Sequence, residues 1–166
     1  MRSRVVLAIG VLVVASTGGW YLGMNHDDAM PPARVIEVID GDTIIVAFAD
    51  GSTDTIRLLG INTPETHHPT KPVECFGPEA AAYTARRLAG RIIRLEGDVE
   101  SRDIYGRRLA YVLLRDERFN DELLRKGYAR LLVIAPNRLH SHALLEAELA
   151  AQHADRGLWG QCGDRP

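Results

Sequence analysis

Lysine is nearly absent from the sequence. Of its 20 Lys and Arg residues only Lys71 and Lys126 are lysine, and against 22 Asp and Glu they leave a formal net charge of −2. The excess of positive charge that gathers a polyanion over long range is missing, which excludes a protein that coats nucleic acid non-specifically. Cysteine is scarce too: Cys75 and Cys162 cannot make a disulfide framework, and they lack the local spacing of a zinc site. No internal repeat or low-complexity stretch occurs. With 46% hydrophobic and 25% charged residues the chain is ordinary globular material, so extensive disorder, collagen-like and coiled-coil structures are excluded. Its 166 residues suit one domain of about 130 to 150 residues.

What is present begins with a compartment signal. Met1-Arg2-Ser3-Arg4 precedes an uncharged run from Val5 to Asn25, the order of a positive n-region and an apolar h-region. Residues 1–24 therefore read as a signal peptide or a transmembrane anchor. Val5 to Met24 is long enough to cross a bilayer, with Trp20 and Tyr21 where interfacial rings stand, whereas Ser16 to Gly19 offer small residues for cleavage. Either way the bulk of the chain should lie outside the cytoplasm, anchored to the membrane through residues 5–24 or secreted. Losing residues 1–24, which hold two arginines and no acid, takes the net charge from −2 to −4.

Residues 25–32 are polar and end in Pro31-Pro32, a linker, and residues 33–162 form the expected domain. Arg34 to Ile39 and Thr43 to Phe48 are rich in Val and Ile and flank Asp40-Gly41-Asp42, while Asp50-Gly51 marks a hairpin into Thr53 to Leu59. These three strands make a meander. Pro78 and Glu79 open a helix that Gly90 ends. Arg91 to Glu96 and Arg107 to Leu114 are further strands, Asn120 is placed to cap a helix ending at Gly127, and a last helix runs from Leu139 to Arg156 with Leu145 and Leu149 on its apolar face. The pattern is α+β and mainly β: a five-stranded OB-type Greek-key β-barrel with three α-helices, preceded by a hydrophobic segment.

Asp40, Asp42, Asn62, Glu65 and Asp103 fall in turns or at strand ends, where functional groups collect, and Arg57 and Arg107 sit beside the same ends. Oxygen ligands without His or Cys favour a hard cation. Arginine forks beside such a cation suit a phosphate whose equatorial oxygens gain charge in the transition state, and a spare carboxylate can serve as base for water. Taken alone, the pattern also fits solvated and capping acids.

The segments VIDGDTI (38–44), RLLGINTPE (57–65), GPEA (77–80) and DIYGRRLAYV (103–112) resemble, in order, the staphylococcal nuclease family. The resemblance implies calcium-dependent hydrolysis of phosphodiesters in DNA or RNA at the P–O5′ bond. It places Asp42 and Thr63 as calcium ligands, Asp40 as an outer acid, Glu65 as general base, Arg57 and Arg107 on the scissile phosphate, and Tyr105 and Lys71 on a neighbouring phosphate. This chain departs at Asn62, where the family has a calcium-binding aspartate, so one ion should bind more weakly; at Ile104, in place of a phosphate-contacting lysine; and at Leu132, in place of an aromatic ring. A catalytically inactive OB-fold module that only binds nucleic acid or protein is the alternative. It expects lost catalytic groups and retained aromatics, whereas here Arg57, Glu65 and Arg107 remain and a ring is gone.

An exported compartment permits Cys75 and Cys162 to pair; two unpaired thiols are the other reading. His67-His68 and His140-x-His142 have no acid or cysteine at metal spacing and read as exposed. Arg86, Arg87, Arg91 and Arg94 form a solvated or ion-paired face, or an outer phosphate track. Nothing in the sequence points to a protein partner.

Overall fold

The computed structural model describes residues 30–66 and 72–163. The N-terminal segment through residue 29, the His67-His68 pair and Lys71 lie outside them. In chain order the elements are β1 (Ala33–Asp40), β2 (Thr43–Phe48), β3 (Thr53–Leu58), β4 (Ile61–Asn62), α1 (Gly77–Leu88), β5 (Ile92–Glu96), β6 (Arg108–Leu114), β7 (Glu117–Arg118), α2 (Phe119–Arg125), β8 (Arg130–Leu131), α3 (Ser141–His153) and the short α4 (Leu158–Gln161).

β1, β2 and β3 form the antiparallel meander, β5 joins β1, and β6 pairs antiparallel with β5 and parallel with β3. That last pairing closes a five-stranded barrel. Closure requires a strand that bends. β1 supplies it through register shifts between Val35 and Glu37 and between Val38 and Asp40, so its first residues pair with β5 while its length pairs with β2. Alternating positions fill the interior: Val35, Ile44, Val46, Ile56, Leu58, Ile93, Leu95, Ala110 and Val112 are all buried.

α1 packs against β1, α2 against β6 and α3 against α2, and two helices differ from expectation. Asn120 does not cap α2. It is fully buried inside the helix, accepts the Val112 N–H through Oδ1 (2.9 Å) and donates through Nδ2 to the Leu59 carbonyl (2.8 Å). A buried amide that satisfies two backbone groups is worth more to the fold than an exposed cap. In α3 the buried face is Leu144, Ala147, Glu148 and Ala151, and Leu145 and Leu149 are exposed. Both spacings are helical, but the alanines suit the close packing of α3 on α2, and Glu148 accepts the Leu131 N–H (2.7 Å). The helix is also shorter than expected at both ends. β4 pairs with β8, a bridge too short to read from sequence.

The C-terminus folds back around Trp159, which is buried against Leu158, Ala151 and Phe76 with the Arg130 guanidinium 4.5 Å from its ring centroid. Its arrival there depends on paired glycines: Gly127 and Gly157 both have positive φ, and a Cβ on either would collide with the other segment's backbone. Cys75 and Cys162 are joined by a disulfide.

Candidate active site

The turn between β1 and β2 carries Asp40, Gly41 and Asp42 to one end of the barrel. Gly41 is required for close approach, since a Cβ there would stand 2.7 Å from the Thr63 side chain. The Asp42 carboxylate is buried. Its Oδ2 accepts the Thr63 N–H (2.8 Å) and lies 3.1 Å from Arg57 Nη2, while Oδ1 accepts the Thr43 hydroxyl (3.1 Å).

Arg57 projects from β3, where it pairs in register with Thr43. Nη1 donates to the carbonyls of Leu58 (2.8 Å) and Ile61 (3.0 Å), and Nη2 to Asn62 Oδ1 (3.1 Å). Burial pulls its pKa down, Asp42 opposes this, and nearby Arg107 adds to the fall. An arginine stays charged through such a shift. Asn62, the expected metal-ligand position, thus turns its amide oxygen to Arg57.

Asp40 is buried beside Glu65. Its Oδ1 accepts the Gly41 N–H (2.7 Å) and the Thr66 hydroxyl (3.1 Å). Burial is the largest influence on its carboxyl, the Gly41 N–H opposes it, and the hydrogen bond with Glu65 and the charge of Asp42 help push the pKa up to about 6. The unfolded chain titrates near 4. Ionising Asp40 therefore costs the native state: the associated stability is fully present below about pH 4 and is lost as pH rises through about 6. In chelator-treated buffer Asp40→Asn should match the wild type below about pH 4 and exceed it by about 2 kcal/mol at neutral pH. Urea midpoints across that range check this, and a variant no more stable at neutral pH contradicts it.

Arg107 stands just before β6. The turn Asp103–Gly106 holds it through one carboxylate: Asp103 Oδ1 accepts the N–H groups of Tyr105 (3.0 Å) and Arg107 (2.9 Å), and Oδ2 accepts Arg107 Nε (2.7 Å). Arg107 also lies over the exposed Tyr105 ring, 5.4 Å from its centroid. Arg57 and Arg107 line one groove of about 560 Å3, which is also lined by the apolar Ile104, Leu132 and Ile134. Tyr105 alone among its lining residues carries a ring, so an entering base meets mainly aliphatic contacts.

The structure thus gathers Asp40, Asp42, Asn62, Thr63, Glu65 and Arg57 at one barrel end, with Arg107 and Tyr105 lining the same groove as Arg57. Asp103, one of the turn acids singled out from the sequence, proves to be the holder of Arg107, a role its i,i+4 spacing signalled, whereas the carbonyls of Leu58 and Ile61 that hold Arg57 left no signal in the sequence. His140 departs from its exposed reading, for Nε2 lies 3.0 Å from Glu96 Oε2 and its ring packs edge-on to Tyr111. Of the four arginines about α1 and β5, Arg87 pairs with Glu122, Arg94 pairs with Asp116 and Arg86 lies over the Tyr83 ring.

Among the described residues no three His, Cys, Asp or Glu side chains cluster at metal-binding distance. A cation would therefore rest on few carboxylates. The donors are nonetheless all oxygen, and Thr63 Oγ1 beside Asp42 is buried without a hydrogen-bond partner. A hard cation fits that set better than a soft one.

Two fixed guanidiniums lining one groove, one of them 3.1 Å from a buried carboxylate, suit stabilisation of a developing phosphorane, and the closed barrel that carries them is of the OB type: the class is a phosphodiester hydrolase. The comparisons agree. The model of the staphylococcal nuclease homologue family matches residues 55–161. The chain is 42% identical over 158 residues to the thermonuclease of Staphylococcus intermedius, covering 93% of this chain and 94% of that one. It is 43% identical over 126 residues to the thermonuclease of Staphylococcus hyicus (76% and 74% covered), and 35% identical over 127 residues to the SPbeta prophage-derived endonuclease YokF of Bacillus subtilis (75% and 43%). The chain belongs to the staphylococcal nuclease family, and it is a nuclease.

Proposed function

We propose that the chain hydrolyses phosphodiester bonds in DNA or RNA with one calcium ion, outside the cytoplasm. The observation that carries the chemistry is the shared groove of Arg57 and Arg107 beside the Asp40–Asp42–Glu65 cluster. Asp42 and Thr63 would hold the ion, with Asp40 as an outer acid and Asn62 near by. Bound there, calcium would polarise a phosphoryl oxygen and offset the local negative charge.

The side chains divide the remaining work. Glu65 takes the proton of an attacking water as the new P–O bond forms. Arg57 faces the equatorial oxygens through Nε and, by exchanging Asn62 or Asp42, through Nη2. Arg107, held at Nε by Asp103, turns its Nη edge to the phosphate and the departing 5′-oxygen. Tyr105, and Lys71 outside the described residues, would meet a neighbouring phosphate. With the P–O5′ bond broken and the departing 5′-oxygen protonated from water, products should carry 3′-phosphate and 5′-hydroxyl ends. Mass spectrometry of digests of single-stranded DNA, double-stranded DNA and RNA checks the polarity, and 5′-phosphate ends would contradict it.

The location rests on the sequence of residues 1–24, either anchor or cleaved signal, and a disulfide accords with an oxidising compartment.

A further inference from the structure

Among the groups of the proposed machinery, Glu65 is carried by the connection between β4 and α1 rather than by a helix or strand. Catalysis by a general base needs that carboxylate placed within hydrogen-bond reach of the water it activates, so something must hold the connection.

The holder is Glu74. Its side-chain Oε2 accepts the Glu65 N–H (3.0 Å), and its own N–H donates to the Glu65 carbonyl (2.9 Å). Gly77 lies under the same carbonyl, where a Cβ would come within 2.9 Å of the Glu65 oxygen. The next residue after Glu74 is Cys75, bonded to Cys162 across 87 positions of sequence with the Cα atoms 6.0 Å apart. Cys162 ends α4 and is buried in the cluster of Leu158, Trp159 and Ala151, and Phe76 stacks on Tyr128 at 5.3 Å. The chain from the base to the C-terminal cluster is therefore continuous: Glu65, Glu74, Cys75, Cys162. Cys75 is exposed while Cys162 is buried, so a soluble thiol reaches the bond from the Cys75 side.

We propose that the Cys75–Cys162 disulfide, acting through the Glu74 clamp, positions Glu65 and makes hydrolysis depend on the thiol state of the pair. Glu74 and the two cysteines are positioning residues in this account, which rests on Glu65 being the base. In the reducing step a dithiol gives up two electrons and two protons and becomes a disulfide, while the Cys75–Cys162 bond breaks to two thiols. The clamp hydrogen bonds remain possible after that, but the segment bearing Glu74 is no longer tied to the C-terminal cluster by a covalent bond.

The test uses the full chain, oxidised and dithiol-treated, below its unfolding transition. Hydrogen exchange of the Glu65 amide and the kcat and KM for a phosphodiester are measured together. Reduction should speed exchange at Glu65 and lower kcat about tenfold or more, with KM changed by less than about twofold, because misplacement of a catalytic group by about 1 Å is felt in the chemical step. Cys75→Ser with Cys162→Ser should behave like the reduced protein and ignore the dithiol. That pair of changes also removes stability, so Glu74→Ala supplies the second arm: it keeps the disulfide and should show the same fall in kcat, and Glu74→Gln, which keeps an acceptor oxygen, should restore most of it. Glu65 exchange unchanged by reduction, or kcat unchanged in both the reduced protein and Glu74→Ala, overturns the proposal. Glu65→Gln run alongside separates the two claims: full activity in that variant removes Glu65 as base, while the exchange data decide the tether by themselves.

Discussion

Arg57→Lys should lower kcat/KM for a phosphodiester by about 10³-fold or more, with the protein still folded. The reason is geometric. Both Nη groups of Arg57 are anchored, one on the carbonyls of Leu58 and Ile61 and the other between Asn62 and Asp42, and this fixes the plane of the guanidinium against the groove. A lysine ammonium keeps the charge beside Asp42, so no buried carboxylate is stranded. It cannot span those four partners and still present a planar edge to phosphate. Arg57→Ala should lose activity equally but also cost about 3 to 5 kcal/mol of stability, because Asp42 is then left buried and unpaired. Single-turnover rates with near-ultraviolet circular dichroism separate the two effects. A lysine variant within about fivefold of the wild type would remove Arg57 from the transition state.

Glu65→Gln is expected to lower kcat by about 10² to 10⁴-fold with little change in KM. The amide keeps an oxygen for the Thr66 N–H that Glu65 Oε1 now accepts (3.0 Å), and the clamp to Glu74 uses the Glu65 backbone, so the local fold is undisturbed. What the amide loses is the capacity to accept a proton from water. Because the same carboxylate hydrogen-bonds Asp40, the substitution should also relieve part of the upward pressure on the Asp40 pKa. A glutamine variant with kcat within about threefold of the wild type would mean that another group takes the proton.

The barrel was readable because its causes are local. Val and Ile runs punctuated by Asp40-Gly41-Asp42 and Asp50-Gly51 set three strands and their turns, and these are the pieces that place Asp42 and Arg57. What escaped was decided by tertiary contact. Asn120 has the side chain of a cap, yet its position under β6 makes it a buried bridge between Val112 and Leu59. Leu145 and Leu149 have the spacing of a core face, yet small alanines at 147 and 151 suit the close contact better. β4 and β8, two residues each, exist only because the barrel brings them together.

In the site the same division holds. The charged residues announced themselves by their place in turns, but their separate roles came from the resemblance, and the groups that hold them did not show. Asp103 gave a spacing signal to Arg107, whereas the Glu74 clamp on Glu65 runs between backbone and side chain nine positions apart and leaves no pattern to read. Asn62 stands where the resemblance places a calcium ligand, and its amide oxygen accepts from Arg57 Nη2.

The central claim is that these arginines and carboxylates act on a phosphate together with one hard cation. Its most direct measurement is the rate of hydrolysis of DNA and RNA by chelator-stripped protein as calcium is added back. The account predicts no measurable cleavage in the chelator and a saturable recovery with calcium, at concentrations of about 10⁻⁴ to 10⁻³ M given the single carboxylate of Asp42 and the neutral amide of Asn62. Cleavage at an undiminished rate in the chelator would contradict it.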